Sequence, residues 1–226
     1  MLKAVIFDFD GVVADSELLH YKTFFSIFEP LGVALGKDEY YADYLGFSDK
    51  DGIDTIADHF KLALSQKQKN EMLVRKEQLF RDLAIRDTFI IEGVFEFISM
   101  LKSGGVRIAV CSGALENEIR MILSKSDFAD AFEVIVSADD VNKGKPDPEP
   151  YLLTLEKLDN INPLNANECV VIEDSFWGLK SAANAGMHPV GITNTYSAEE
   201  LGEYAEKMVG SLSELTLNVL KELCAD

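Results

Sequence analysis

The chain has 226 residues, of which 39 are acidic and 21 are basic, so its formal net charge at pH 7 is −18. This charge excludes nucleic acid as an expected partner, because a nucleic-acid binder needs a basic face that displaces counterions. Hydrophobic residues make up 47% of the chain and charged residues 27%, which are ordinary values for a globular protein and exclude general disorder.

The N-terminal segment gives no sign of export. It carries a carboxylate, Asp8, where a signal peptide would need its apolar run, and no apolar stretch of the chain approaches the roughly 18 residues that a membrane helix needs. The three cysteines, Cys111, Cys169 and Cys224, are spaced neither as a disulfide framework nor as a zinc site. We therefore expect a cytoplasmic protein without a membrane partner, with a monomer as the default state.

Short apolar runs alternate with helix-length amphipathic stretches along most of the chain, which is typical of a parallel α/β sheet. Each run is nearly continuous rather than alternating, as expected of strands that are covered on both faces. The runs predict strands at 4–7, 107–111, 134–136, 169–172 and 189–192. The amphipathic stretches predict helices near 94–103, 115–124, 148–158, 177–185 and 211–222.

The region from 16 to 85 has no convincing strand and shows helical periodicity throughout. Apolar residues recur at three- and four-residue spacing in its first part, at Leu18, Tyr21, Phe25 and Phe28. That helix should end near Pro30, a new one should begin at the capping-box residues Ser48 and Asp51, and a long charged helix is predicted from 66 to 84. We therefore expect a core, residues 1–15 and 86–226, and an all-helical cap, residues 16–85, inserted after the first strand.

The first predicted strand ends in two aspartates, Asp8 and Asp10, which are followed by Gly11. Alternation along a strand puts both carboxylates on one side, at the edge where open α/β sheets bind ligands. One carboxylate can be a nucleophile or a metal ligand, and its neighbour a proton shuttle. Taken alone, such a pair is more often two solvated acids, so the interpretation depends on the rest of the chain.

Polar residues also follow the next strands. Ser112 and Gly113 come after the strand at 107–111, where a hydroxyl and backbone N–H groups can hold a phosphoryl oxygen, although an N-cap serine is the simpler interpretation. Lys145 precedes Pro146, which favours an extended backbone, and Asp147 is the expected N-cap of the next helix. This backbone would aim Lys145 in one direction, although most loop lysines are merely solvated.

Two more carboxylates, Glu173 and Asp174, follow the strand at 169–172. Together with Asp8 and the carbonyl oxygen of Asp10, they offer hard oxygen ligands that suit Mg²⁺. The alternative is an acidic first helical turn that the helix dipole favours. Gly186 is expected to end the helix that follows.

Taken together and in this order, these residues resemble the four motifs of the haloacid dehalogenase-like hydrolase superfamily. The motifs are Asp8-Phe9-Asp10-Gly11, Ser112, Lys145 and Glu173-Asp174, and the resemblance covers essentially the whole chain. The chain looks similar to the β-phosphoglucomutase and sugar-phosphatase branch, whose helical cap follows the first motif. The resemblance implies a doubly wound, Rossmann-like core and a Mg²⁺-dependent phosphatase whose partner is a small phosphorylated metabolite such as a sugar phosphate.

The resemblance also implies a role for each motif residue. Asp8 would attack phosphorus and form an aspartyl phosphate, while Asp10 would protonate the leaving oxygen and then take a proton from water. Ser112, Gly113 and Lys145 would bind phosphoryl oxygens. The implied Mg²⁺ ligands are Asp8, Asp10, Glu173 and Asp174. Since the family's dehalogenases lack the second aspartate, Asp10 favours phosphoryl transfer.

A phosphomutase of the β-phosphoglucomutase type is the alternative activity, and it needs a second phosphate site in the cap. The residues that match the mutase there are Ser16, His20, Arg75 and Lys76. By resemblance, however, Leu45 and Asp49 stand where the mutase has a lysine and an arginine, and a second phosphate would be repelled by Asp49 and Glu116. We therefore expect a phosphatase. Its candidate cap residues for substrate are His20, Gly46, Phe47 and Lys76.

A non-enzymatic alternative comes from bacterial receiver domains, which also combine an aspartyl phosphate, acidic Mg²⁺ ligands and a lysine on a doubly wound sheet. They are shorter, their acceptor aspartate lies deep in the chain, and they carry no helical insertion. Here the acidic pair lies within the first ten residues. A phospho-acceptor signalling or binding protein is therefore the remote alternative, and multiple turnover of a phosphate ester would distinguish it.

Overall fold

A computed structural model of the protein describes residues 1–45, 47–87 and 90–225. The chain forms two compact units, the first comprising Met1–Ala14 and Ile90–Asp226 and the second Asp15–Phe89. No helix in the described part of the chain combines the length and the apolar character that crossing a membrane would require.

The first unit is built on a six-stranded parallel sheet with the order β3-β2-β1-β4-β5-β6. Its strands are β1 (Ala4–Phe7), β2 (Arg107–Cys111), β3 (Val134–Val136), β4 (Cys169–Glu173), β5 (His188–Ile192) and β6 (Lys207–Val209). All four residues of β1 are buried, as its continuous apolar run predicts. The strand order reverses between β1 and β4, and ligands bind at such a switch point in open α/β sheets. The predicted fold class is therefore confirmed.

The regular elements of the second unit are all helices in its described residues. Its helices are α1 (Glu17–Phe28), α2 (Lys37–Asp43), α3 (Asp49–His59) and α4 (Gln66–Asp87). After α1 the chain turns through Pro30 and a left-handed Gly32 with φ +80°, where the sequence predicts the stop. Ser48 is the N-cap of α3, as predicted, and its hydroxyl accepts a hydrogen bond from the Asp51 N–H at 3.2 Å. The unit has its own apolar core, with Phe24, Phe28, Tyr40, Ile53 and Ile56 among its buried side chains.

Helices also surround the sheet of the first unit. They are α5 (Val94–Ser103), α6 (Glu116–Leu123), α7 (Glu149–Asp159), α8 (Phe176–Asn184), α9 (Ala198–Leu201) and α10 (Leu217–Leu223). Gly186, with φ +75°, follows the end of α8, as predicted.

Two predicted details of this unit are wrong, and one alternative interpretation is excluded. The helix expected over 211–222 begins only at Leu217, because the Thr216 hydroxyl caps it and a 3₁₀ turn occupies Leu212–Glu214. Asp147 is not the N-cap of α7; its carboxylate instead accepts the Glu149 N–H at 3.0 Å, and Pro148 takes the N-cap position. Ser112 is not an N-cap either, because α6 begins after Leu115.

Candidate active site

The two aspartates after β1 are held by a tight turn. The Asp8 N–H donates to the Ile172 carbonyl oxygen at 2.9 Å, so pairing with β4 continues one residue beyond β1. The chain then folds back, with the Gly11 N–H donating to the Ala14 carbonyl oxygen at 2.8 Å and the Ala14 N–H to the Phe9 carbonyl oxygen at 3.0 Å. Gly11 has φ +81°, and a Cβ there would collide with the Asp174 carboxylate. Glycine is therefore required at the position that the first motif gives it.

Lys145 reaches the turn from the loop before α7. Its ammonium donates to Asp8 Oδ1 at 2.6 Å, to Glu173 Oε1 at 2.6 Å and to the Cys111 carbonyl oxygen at 3.0 Å. Burial opposes its charge, but the Asp8 and Glu173 carboxylates outweigh burial and hold the pKa of Lys145 well above its usual value. The site therefore contains a fixed positive charge.

Glu173 is saturated with hydrogen bonds. Oε1 accepts the Lys145 ammonium and the Tyr151 hydroxyl, the latter at 3.0 Å. Oε2 accepts the backbone N–H groups of Asp174 and Ser175, both at 3.1 Å, and the Ser175 hydroxyl at 2.9 Å. A Cβ on Gly178 would collide with this carboxylate, so the small residue at the start of α8 lets Glu173 reach Lys145.

Ser112 and Gly113 follow β2, next to the Asp10 side chain. The Ser112 hydroxyl donates to Asp10 Oδ2 at 3.3 Å and accepts the Ala114 N–H at 2.9 Å. The space beside Gly113 is open, since, apart from Gly113 and its two chain neighbours, no atom of the described residues lies within 4 Å of the position that a Cβ would take there. The backbone at the end of β2 can therefore approach a bound anion closely.

Three buried acids form a group that could hold a metal ion. Asp8, Glu173 and Asp174 each offer a carboxylate oxygen, and these oxygens lie within 4.8 Å of one another. Burial, together with the Glu173 and Asp10 charges, raises the pKa of Asp8 to about 8 although Lys145 opposes the shift. Carboxylates crowded in a buried place are the donors that a hard divalent cation prefers, and a cation would favour the ionised form of Asp8. The residues present therefore fit a metal such as Mg²⁺.

The predicted cap residues belong to the second unit, where two of them meet. The Lys76 side chain is fully buried, and its ammonium donates to Asp49 and lies 2.9 Å from His20 Nδ1. The ammonium also lies 4.7 Å from the Phe24 ring centroid. Burial first, and then the Lys76 charge, lower the pKa of His20 well below its usual value, so the imidazole is neutral and Nδ1 accepts a hydrogen bond from the Lys76 ammonium.

The two other candidates from this region are placed differently. Phe47 is 47% exposed. Gly46 lies outside the described residues. Of the four candidates, the structure therefore brings His20 and Lys76 into one group, with Asp49 as its third member.

Sequence reasoning missed three residues that contact the site. The Tyr151 hydroxyl binds Glu173, the Thr195 hydroxyl binds Asp174, and the Asn194 amide donates to the Gly11 carbonyl oxygen at 2.7 Å. The amphipathic pattern of α7 can indicate that Tyr151 is buried, but it does not identify the partner of the hydroxyl. Asn194 and Thr195 belong to no motif that we identified.

The chain is similar to known proteins along almost all of its length. The family model described as haloacid dehalogenase-like hydrolase matches residues 5–192. A phosphorylated carbohydrates phosphatase of Thermotoga maritima is 30% identical over 224 residues, which cover 98% of this chain and 100% of that protein. The β-phosphoglucomutase of Bacillus subtilis is 28% identical over 225 residues, covering 98% and 95%. The crystal structure of CbbY from Rhodobacter sphaeroides in complex with phosphate matches with a TM-score of 0.85 at 27% identity, covering 98% and 100%.

Proposed function

The chain belongs to the haloacid dehalogenase-like hydrolase family, and we propose that it is a Mg²⁺-dependent phosphatase that hydrolyses a sugar phosphate or a similar small phosphomonoester through an aspartyl phosphate. The predicted family and its sugar-phosphatase and mutase branch are confirmed by the matches. One observation carries the proposal: Lys145 lies 2.6 Å from Asp8 in a buried group that also holds Glu173 and Asp174.

The reaction is proposed to begin at Asp8. One carboxylate oxygen of Asp8 forms a bond to phosphorus as the bond between phosphorus and the ester oxygen breaks. Lys145, Ser112 and the backbone at Gly113 hold the phosphoryl oxygens while negative charge develops on them. Asp10, whose Oδ2 lies 3.3 Å from the Ser112 hydroxyl, gives a proton to the leaving oxygen. In the second step Asp10 takes a proton from water, which attacks the aspartyl phosphate and releases phosphate and Asp8.

The metal is proposed to bind Asp8, Asp174 and the Asp10 carbonyl oxygen. Mg²⁺ supplies positive charge that lets an anionic phosphoester approach these acids. We assign Glu173 to the positioning of Lys145 instead, because both of its oxygens already accept hydrogen bonds from protein donors. Glu173 thus keeps the ammonium in place beside Asp8.

The second unit is proposed to be the cap, and its charges favour a phosphatase over a mutase. Lys76, a fully buried cation of this unit, is already paired with the Asp49 carboxylate. A second phosphate would have to compete with that carboxylate and would be repelled by it. A leaving group without a second phosphate avoids this repulsion. The relative named as a phosphorylated carbohydrates phosphatase supports a sugar as that leaving group.

The test is phosphate release from a panel of small phosphomonoesters, with Mg²⁺ and with a chelator. We expect turnover that requires Mg²⁺ and that falls by about 10³-fold or more in Asp8→Asn, because the nucleophile is removed. Asp127→Asn, which changes an exposed aspartate in the same way, is the matched control. Wild-type turnover in Asp8→Asn would contradict the proposal, and conversion of β-glucose 1-phosphate to glucose 6-phosphate would favour the mutase.

A further inference from the structure

We propose that Asn194 and Thr195, in the segment between β5 and α9, are positioning residues for the metal, with Thr195 orienting Asp174 and Asn194 restraining the turn at Asp10. The proposal rests on the proposed function only in that it assigns Asp174 and the Asp10 carbonyl oxygen to the metal. It adds a fifth segment of chain to the four motifs.

The segment is anchored at both of its ends. The Thr193 N–H donates to the Val209 carbonyl oxygen of β6 at 3.1 Å. At the other end Ser197 caps α9, and its N–H donates to Glu200 Oε2 at 2.8 Å. Only Asn194, Thr195 and Tyr196 lie between these anchors. Asn194 and Thr195 are therefore presented from a fixed backbone at the carboxyl end of β5, next to the strand that carries Asp174.

Each of the two side chains reaches a different loop of the site. The Thr195 hydroxyl donates to Asp174 Oδ2, and the Asn194 amide donates to the Gly11 carbonyl oxygen at 2.7 Å. A Cβ added to Gly11 would meet both the Asp174 carboxylate and the Thr195 hydroxyl. The loops after β1, β4 and β5 are thus packed against one another at Gly11.

The donor that Thr195 provides is neutral, and this distinguishes Asp174 from its neighbour. Glu173 accepts the Lys145 ammonium, which compensates its charge. A hydroxyl fixes the orientation of the Asp174 carboxylate without itself adding positive charge. Hydrogen bonds of this kind to metal ligands typically change metal affinity by about 10–100-fold.

Asn194 acts on the backbone rather than on a carboxylate. The Gly11 carbonyl that it binds belongs to the residue directly after Asp10, in a turn where Gly11 has φ +81°. Holding that carbonyl restrains the rotation of Gly11 and thereby the preceding peptide group, which carries the Asp10 carbonyl oxygen. Asn194 is therefore expected to influence the metal through the orientation of that peptide.

The experiment is a calorimetric titration of the whole chain with Mg²⁺ alone, in the wild type, Thr195→Val, Thr195→Ser and Asn194→Ala. Valine keeps the shape of threonine without its hydroxyl, whereas serine keeps the hydroxyl. We expect Thr195→Val to weaken Mg²⁺ binding by about 10–100-fold and Asn194→Ala by about 10-fold, with Thr195→Ser restoring most of the affinity. Melting temperatures would show that all variants are folded.

The outcomes separate this inference from the proposed function. Wild-type Mg²⁺ affinity in Thr195→Val, or equal weakening in Thr195→Ser and Thr195→Val, would overturn the positioning role and leave phosphatase activity untouched. Weakened binding in Thr195→Val alone would support the role even if the wild type released no phosphate. A wild type that binds no Mg²⁺ would overturn the inference. In the assay with substrate, the Mg²⁺ concentration for half-maximal activity should rise in Thr195→Val while kcat at saturating Mg²⁺ changes less.

Discussion

Each of the two units holds a lysine in a charged group, Lys145 at 12% side-chain exposure and Lys76 fully buried, but the charges around the two ammonium groups differ. Lys145 in the first unit lies 2.6 Å from both the Asp8 and the Glu173 carboxylates, and Asp174 belongs to the same buried group. Lys76 in the second unit has one carboxylate partner, Asp49, and its other contacts are with a neutral imidazole and aromatic rings. The first group therefore has more negative than positive charge, whereas the second is balanced.

The difference separates a site that favours an added cation from a group that is complete in itself. A buried charge must be paired, because desolvation otherwise makes it unfavourable. The surplus carboxylates around Lys145 remain unfavourable until a cation arrives or a proton is taken up, and the raised pKa of Asp8 reflects this, with burial as its first cause. The balanced group around Lys76 needs no ligand to be stable.

The largest expected effect comes from removing the cation of the first group. Lys145→Met should lower kcat/KM for a phosphomonoester by about 10³-fold, because a charged donor to the phosphoryl oxygens and to Asp8 is lost. Lys143→Met is the matched control, since that side chain lies two residues earlier and is 71% exposed. Phosphate release measures both variants. If kcat/KM of Lys145→Met lay within threefold of that of the control, the proposal that the reaction takes place at Asp8 would be contradicted.

The sequence predicts those features of the fold and the site that depend on neighbouring residues in the chain. The central strands follow from continuous apolar runs, and the four motifs lie at strand ends or in the loop after one, where the sheet topology brings them together. β6 (Lys207–Val209) was missed because it has three residues, two of them only partly buried. Thr195 and Tyr151 act through contacts between segments that are distant in the chain, and no local pattern marks such contacts. The pairing of Asp49 with Lys76 was missed for the same reason.

The next prediction tests whether the Asp49 carboxylate balances the charge of the Lys76 ammonium. Asp49→Asn leaves the Lys76 ammonium buried without a carboxylate, so we expect the free energy of unfolding to fall by about 3 kcal/mol. The double variant Asp49→Asn with Lys76→Met, which removes both charges, should recover most of that loss. Urea denaturation of the two variants and the wild type measures the difference. A double variant less stable than Asp49→Asn would mean that Lys76 is held by its packing rather than by the ion pair.

A smaller effect is expected when the sign of the charge at the same position is reversed. Asp49→Arg should strengthen the binding of a sugar bisphosphate by about 3- to 10-fold, because a repelling carboxylate is replaced by a cation that can pair with a phosphate. Competitive inhibition of phosphate release by the bisphosphate measures this affinity. Asp49→Asn separates the loss of repulsion from the gained attraction. Unchanged inhibition in Asp49→Arg would count against a place for Asp49 near the substrate.

The last expected effect is the pH dependence that His20 gives to stability. Burial lowers the pKa of His20 below its ordinary value of 6.5 in the folded chain. Below about pH 6.5 the unfolded chain therefore binds a proton that the folded chain does not, and the free energy of unfolding decreases by up to about 1.4 kcal/mol per pH unit as the pH falls towards the folded pKa. His20→Asn keeps an acceptor for Lys76 but does not titrate, so its stability should decrease less than that of the wild type between about pH 7 and about pH 5. Urea denaturation at both pH values measures the difference. Equal losses in the two proteins would mean that His20 takes up its proton at the same pH in the folded and the unfolded chain, which contradicts the lowered pKa. A smaller loss in the wild type would mean that His20 is already protonated beside Asp49, whose Oδ1 lies 3.9 Å from Nδ1, and the second group would then carry a net positive charge.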